Sequence, residues 1–133
     1  LVDGLKGNHN YRPGRWVGVA NNDFEVLIDL QKAMEISSVS LSTCVEKGDW
    51  VFDARGFTVS VSTDGESYID VFDENYPAMK ADDANKIYNH TLTFAPSQAR
   101  YVKVKALVEH SMPEWHGAKG HRAFLFIDEI IVE

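Results

Sequence analysis

The apolar residues of this chain recur with a period of two, in short runs separated by turn formers, and that pattern limits its fold more than any other feature. Phe24, Val26, Ile28 and Leu30 alternate with Glu25, Leu27 and Asp29, so an extended segment turns one face to a core. Val39 and Leu41 alternate with serines and Thr43, and Phe57, Val59 and Val61 alternate with Thr58, Ser60 and Ser62. The β-branched residues in both runs suit a pleated, half-buried surface. Asp64-Gly65 closes the latter run and extended character resumes from Tyr68 to Phe72, which predicts a hairpin. Leu92 and Phe94, then Val102, Val104 and Ala106, flank the turn-rich Ala95-Pro96-Ser97-Gln98 and predict a second hairpin. The apolar run from Phe124 to Val132 predicts a last strand. Met79 to Lys86 lacks an apolar stripe, so nothing beyond a short surface turn is expected there. The expected fold is all-β, about eight strands in two packed antiparallel sheets, a jelly-roll or similar β-sandwich.

At 133 residues the chain suits one domain spanning 1–133. No apolar run approaches the length of a membrane-spanning helix. Twenty acidic residues against 13 basic ones give a formal charge of -7, which argues against nucleic acid and against anionic membranes as partners. The single cysteine, Cys44, excludes an internal disulfide and a multi-cysteine zinc site, and leaves the compartment open. The chain opens on Leu1 with neither a signal nor a transit composition, so we expect an excised or processed piece of a longer protein.

Four longer irregular stretches concentrate the functional interest: Asn8 to Arg15, Glu46 to Gly56, Asp73 to Lys86 and Glu109 to Arg122. The last sets Trp115 beside His116. A flat indole stacks on the apolar face of a sugar ring while an imidazole bonds its hydroxyls; the plainer reading has Trp115 capping the core edge and His116 in solvent. Trp50, in Asp49-Trp50-Val51-Phe52, either packs inward or is presented by its loop. Tyr11, Arg12 and Arg15 form a further aromatic and basic group beside Trp16, which reads as core. Asp3-Gly4, Asn8, Asn10 and Asp128-Glu129 offer hard oxygens of the kind calcium takes, without EF-hand spacing; solvated acidic termini would look the same. His110, His116 and His121 have spacings that fit no helical ligand pair. Asn89-His90-Thr91 matches the glycosylation acceptor pattern and is read as chance. The chain carries no Gly-x-Ser-x-Gly, no His-Glu-x-x-His and no phosphate-cradling loop, and no catalytic residues are assigned.

Several pieces in order carry a resemblance: Leu1-Val2-Asp3-Gly4, Trp16-Val17-Gly18, Val26-Leu27-Ile28-Asp29-Leu30, Val59-Ser60-Val61-Ser62-Thr63-Asp64-Gly65, Arg100-Tyr101-Val102-Lys103-Val104 and Ile127-Asp128-Glu129-Ile130. Together they resemble the discoidin domains, also called coagulation factor 5/8 type C domains, over essentially the whole chain. Asn10-Tyr11-Arg12-Pro13-Gly14-Arg15-Trp16 and Pro113-Glu114-Trp115-His116 are similar to the bacterial carbohydrate-binding branch, the family 32 modules appended to hexosaminidases (chitobiases) and galactosidases.

That resemblance implies an eight-stranded galactose-binding-like jelly roll, sugar held in loops at one end, and a structural calcium at positions matched by Asp3 and Glu129, with Asn8 chosen as a further loop oxygen. It implies a non-catalytic module covalently linked to a glycoside hydrolase, monomeric as an isolated domain, secreted, periplasmic or cell-surface, and directed to galactose, N-acetylgalactosamine or N-acetylglucosamine. The expected sugar contacts are Trp50, Trp115, His116, Tyr11 and Arg15. A structural or protein-contact domain without sugar binding is the alternative, and it expects Trp50 and Trp115 to be buried.

Overall fold

The computed structural model describes residues 17–19 and 23–133. Its strands are β1 (Val17–Val19), β2 (Phe24–Cys44), β3 (Gly56–Ser62), β4 (Ile69–Asn75), β5 (Ile87–Leu107), β6 (Leu125–Ile127) and β7 (Ile131–Val132), with one 3₁₀ turn at Lys47–Asp49. All pairings among named strands are antiparallel, along the path β1-β6-β2-β5-β3-β4 with β7 beside β2.

Two 21-residue strands, β2 and β5, organise everything else. The start of β2 pairs with the end of β5, from Phe24 opposite Ala106 to Asp29 opposite Tyr101; the end of β2 pairs with the start of β5, from Ser38 opposite Thr93 to Cys44 opposite Ile87. Bulges separate the two halves. Residues 30–33 stand opposite Arg100 alone, and residues 94–96 stand opposite Ser37 alone. Extra residues on one strand bend it and increase its twist, so a single hydrogen-bonded sheet curls into two layers. One layer joins the start of β2, the end of β5, β3 and β4; the other joins the start of β5, the end of β2, β6, β7 and β1. The inward faces meet in one core, with Phe57, Val59, Val102 and Val104 from the first layer against Val39, Leu41, Leu92, Leu125 and Ile127 from the second.

This geometry corrects the expected hairpin at 95–98. Leu92 pairs with Val39 and Val102 with Ile28, so both arms pair with β2 and not with each other. Pro96 donates no backbone hydrogen bond and sits in the bulge, where the ladder asks for none. The expected last strand is likewise interrupted, because Asp128 Oδ1 accepts from the Ser42 amide at 3.1 Å and the chain breaks between β6 and β7. The β3–β4 hairpin and the helix-free 79–86 segment follow the sequence reading. Cys44 is fully buried, and burial, reinforced by Glu46, pushes its thiol up to about 11, so it packs rather than reacts.

The β3–β4 turn is held by one side chain. Asp64 Oδ1 accepts from the amides of Glu66 at 2.8 Å and Ser67 at 3.0 Å and from the Ser62 hydroxyl at 2.9 Å, while Gly65 takes φ of 81°. The Ser67 and Glu66 amides, then the Ser62 hydroxyl, hold the Asp64 carboxyl below its ordinary value. A carboxylate with a lowered folded-state pKa contributes stability above its unfolded value, near 3.9, and loses it as pH falls through the folded value. Asp64→Ala should therefore flatten the acid limb of a stability-versus-pH curve from denaturant titrations; an unchanged limb would remove the turn from the account.

Candidate functional site

Three loops gather at the end of the sandwich where β2 stops and β3 and β5 begin: residues 45–55, 76–86 and 108–124. They share a small core of their own. Phe52 from the first loop and Met112 and Ala123 from the third are buried, and Met79 from the second and Ala118 from the third pack against them. Such satellite clusters under long loops give them fixed positions relative to the main core.

Lys47 ties the first loop to the second and third. Its ammonium donates to the carbonyls of Ala81, at 2.9 Å, and Asp83, and its amide donates to Asn85 Oδ1 at 3.1 Å. Its own carbonyl lies 2.7 Å from His116 Nε2, while the Ala118 amide donates to His116 Nδ1 at 2.9 Å. Nε2 must then carry the proton and Nδ1 the lone pair, so His116 is the neutral Nε2–H tautomer with both nitrogens engaged by the chain itself. Trp115 stacks on Phe52, centroids 5.9 Å apart and planes 8° from parallel, and donates from its indole N–H to the Met79 carbonyl at 3.1 Å. Trp50, in the left-handed region with φ of 66°, lies against His121, and the Phe124 amide donates to its carbonyl at 2.7 Å.

Beside these loops lies an open cleft of about 410 Å³. Asp53, Tyr76, Met79, Lys80, Tyr88 and His90 supply its chemistry. Asp53 Oδ1 accepts three hydrogen bonds, from Thr43 Oγ1 at 2.6 Å, the Ala54 amide at 2.8 Å and His90 Nε2 at 2.9 Å. Among the described residues these donors to the carboxylate all use Oδ1, and Asp53 lines the cleft. Nε2 of His90 therefore carries a proton and donates it to the carboxylate. The imidazole is held between two rings, tilted against buried Phe57 at 4.9 Å and stacked on Tyr76 at 5.9 Å and 14°. Burial, then Glu74 and Asp53, raises the Tyr76 phenol, and burial, then Asp83 and Asp53, raises that of Tyr88, so both remain protonated at neutral pH. The cleft thus offers aromatic faces, a carboxylate oxygen and phenol groups within one rigid wall, the mixture that grips a ring whose edge is polar and whose face is apolar.

Of the residues expected to contact sugar, Tyr11 and Arg15 lie outside the described residues, as do Arg12 and Trp16. Trp50, Trp115 and His116 are brought to the same three-loop end, and Trp50 and Trp115 are 38% and 39% exposed, more than the buried positions a purely structural domain would give them. Asp53, Thr43, Tyr76, Tyr88 and His90 were not singled out from sequence. His90 had a signal: it shares parity with Leu92, whose side faces the core, so the alternation that marks Leu92 also turns an ionisable ring inward.

For the implied calcium, Asp3 and Asn8 lie outside the described residues. Glu129 is 5% exposed beside Asp128, 1% exposed, in the connection between β6 and β7. Buried hard-oxygen donors suit a cation of calcium's kind. Among the described residues no cluster of three or more His, Cys, Asp or Glu is placed to hold a metal; His110, His116 and His121 lie against Asp23, Lys47 and Trp50 respectively.

The model of the F5/8 type C domain matches residues 1–121. A comparison with curated protein sequences finds no match. Among solved structures the chain is similar to the CBM32 of AlyQ in complex with 4,5-unsaturated mannuronic acid, at 17% identity and a TM-score of 0.56, covering 99% of this chain and 81% of that one. It is similar to CBM32-1 of a family 31 glycoside hydrolase from Clostridium perfringens, at 22% identity and a TM-score of 0.58, covering 97% and 78%. CpGH89CBM32-5 from Clostridium perfringens, in complex with GalNAc-β-1,3-galactose, is similar at 16% identity and a TM-score of 0.53, covering 90% and 95%. At these identities the structures speak for the fold, and that fold is the all-β sandwich read from the alternation. With its family model matched over most of its length, the chain belongs to the F5/8 type C, or discoidin, family.

Proposed function

We propose that this domain is a non-catalytic carbohydrate-binding module that holds a glycoside hydrolase, of the hexosaminidase or galactosidase kind, near its glycan outside the cell or at its surface. The observation that carries the reading is the open cleft of about 410 Å³, where the Asp53 carboxylate, fixed by three donors, and the rings of Tyr76 and Tyr88 face one space. Trp115 supports that cleft from behind, since its indole holds the Met79 carbonyl in the cleft wall. The sugar complexes of the similar modules support the ligand class, and galactose, N-acetylgalactosamine and N-acetylglucosamine are the epitopes to try first. Recognition in so open a site is shallow, and a dissociation constant on the order of 0.1–1 mM suits a module that works by tethering.

The test is a glycan array probed with the labelled domain in calcium, with Trp115→Ala alongside. A sugar hit lost or cut at least about tenfold in a folded Trp115→Ala is the expected outcome. A blank array with a folded domain would favour the structural or protein-contact role.

The same reading includes a structural calcium at Asp3, Asn8 and Glu129. An ion that binds only the folded state stabilises it by mass action, about 2.7 kcal/mol at a hundredfold excess over its dissociation constant. Chelation should lower Tm by several degrees, readdition of calcium should restore it, and Glu129→Gln should abolish the response. Equal melting curves with and without chelator would remove the ion from this domain.

A further inference from the structure

Residues 76–83 supply more than half of the residues that line the cleft, and they do so without regular secondary structure. From Pro77 to Lys86 every residue is exposed except Met79 and Asp83, which are half-buried, so the segment has little buried apolar surface to fix its position. Segments of this kind belong to the low-stability end of a structure and keep their place through a few specific anchors. Part of it closes on itself: the Asp83 amide donates to the Lys80 carbonyl at 3.1 Å and the Lys80 amide to Asp83 Oδ2 at 2.7 Å. The turn 80–83 is thus one unit that lines the cleft through Lys80 and Asp83, and what remains to be fixed is where that unit sits.

Among the described residues, the hydrogen bonds that reach this turn from outside its own segment both come from the Lys47 ammonium, which donates to the carbonyls of Ala81, at 2.9 Å, and Asp83. An ammonium carries three donors, so one group can hold two carbonyls, and its charge makes each bond stronger than a neutral pair. The base from which Lys47 reaches is itself held. Its carbonyl accepts from the Trp50 amide at 3.2 Å and lies 2.7 Å from His116 Nε2, and its amide donates to Asn85 Oδ1 at 3.1 Å. The ammonium also stands 5.7 Å from the centroid of Trp115, whose indole N–H holds the Met79 carbonyl just ahead of the turn at 3.1 Å. The cleft is lined by Lys80 and Asp83 but not by Lys47, so an effect of Lys47 on a ligand passes through the turn.

We infer that Lys47 is a positioning residue for the cleft: its ammonium holds the turn 80–83 in place before a ligand arrives, so that affinity is not spent on ordering that wall. The inference rests on the proposed carbohydrate-binding function and adds to it the group that preorganises the site. Lys47→Met keeps an unbranched side chain and removes the charge, whereas Lys47→Arg keeps a cation with several N–H donors. The test is hydrogen exchange of the free full chain, read by mass spectrometry, beside calorimetric titration with galactose, N-acetylgalactosamine and N-acetylglucosamine. Lys47→Met should exchange at least about tenfold faster over residues 79–86, with β3 and β5 unchanged as the sign of an intact fold. It should bind the recognised sugar at least about fivefold more weakly, with the loss in the binding entropy, and Lys47→Arg should bring exchange and affinity back toward wild type. Wild-type exchange over 79–86 in Lys47→Met overturns the inference, as does full sugar affinity in a variant whose turn exchanges fast; both results leave the sugar-binding reading standing. Binding of none of the three sugars by the wild type overturns both.

Discussion

Phe57→Ala is expected to destabilise the domain by about 3–5 kcal/mol, the range for removing a fully buried phenylalanine from a packed core. Phe57 is 0% exposed near the start of β3, which pairs with β4 on one side and β5 on the other. Its ring also meets the core face of the cleft, with His90 at 4.9 Å and Tyr76 at 5.8 Å. Deleting it opens a void between the two layers that the surrounding strands cannot close without breaking register. Against a typical total stability of about 5–15 kcal/mol the loss is large, and the denaturant midpoint should fall steeply with the slope unchanged. Phe57→Leu fills most of the void and should remain folded, yet bind sugar more weakly because His90 and Tyr76 lose the aromatic ring that both pack against. A Phe57→Ala protein within about 1 kcal/mol of wild type would contradict the layer packing described above.

The legible part of the fold was the part with short-range periodicity. Phe57, Val59 and Val61 announced both their strand and their core face, and Asp64-Gly65 announced the turn. The long strands were not legible as such, because a bulge breaks the alternation at the point where the chain changes layer: Ala95-Pro96-Ser97-Gln98 reads as a turn in sequence, and residues 30–33 and 94–96 act as bends within β2 and β5. A proline that signals a turn in isolation is equally at home in a bulge, and only the partner strand decides between them.

The site divides in the same way. Aromatic loop residues such as Trp50 and Trp115 stand out in sequence, and the structure brings both to the loop end. His116 stood out for its imidazole, yet its two nitrogens serve loop closure through Lys47 and Ala118. Asp53 did not stand out, since one acid among 20 acidic residues carries no signal. Its importance comes from three donors contributed by β2, β5 and its own loop, a convergence of positions 43, 54 and 90 that no local window contains.

Asp53→Asn separates the binding role of that carboxylate from its structural one. In the wild type the donors to Asp53 among the described residues use Oδ1. An asparagine can keep its carbonyl oxygen in that position, accept from the Thr43 hydroxyl, the Ala54 amide and His90 Nε2, and change only the second oxygen of this cleft-lining side chain, from an anionic acceptor to an amide donor. Hydrogen bonds to a charged group contribute roughly 1.5–3 kcal/mol, and each 1.4 kcal/mol is about a factor of ten in affinity. Asp53→Asn should therefore melt close to wild type and bind sugar roughly tenfold or more weakly, read by calorimetry beside a thermal melt. Asp53→Ala should do both kinds of damage, because the Thr43 hydroxyl, on a residue 0% exposed, and the Ala54 amide then lose their acceptor, at about 1–3 kcal/mol for each buried group left unpaired. Wild-type affinity in a folded Asp53→Asn would move the sugar out of this cleft, and the half-exposed faces of Trp50 and Trp115 would then be the surfaces to mutate.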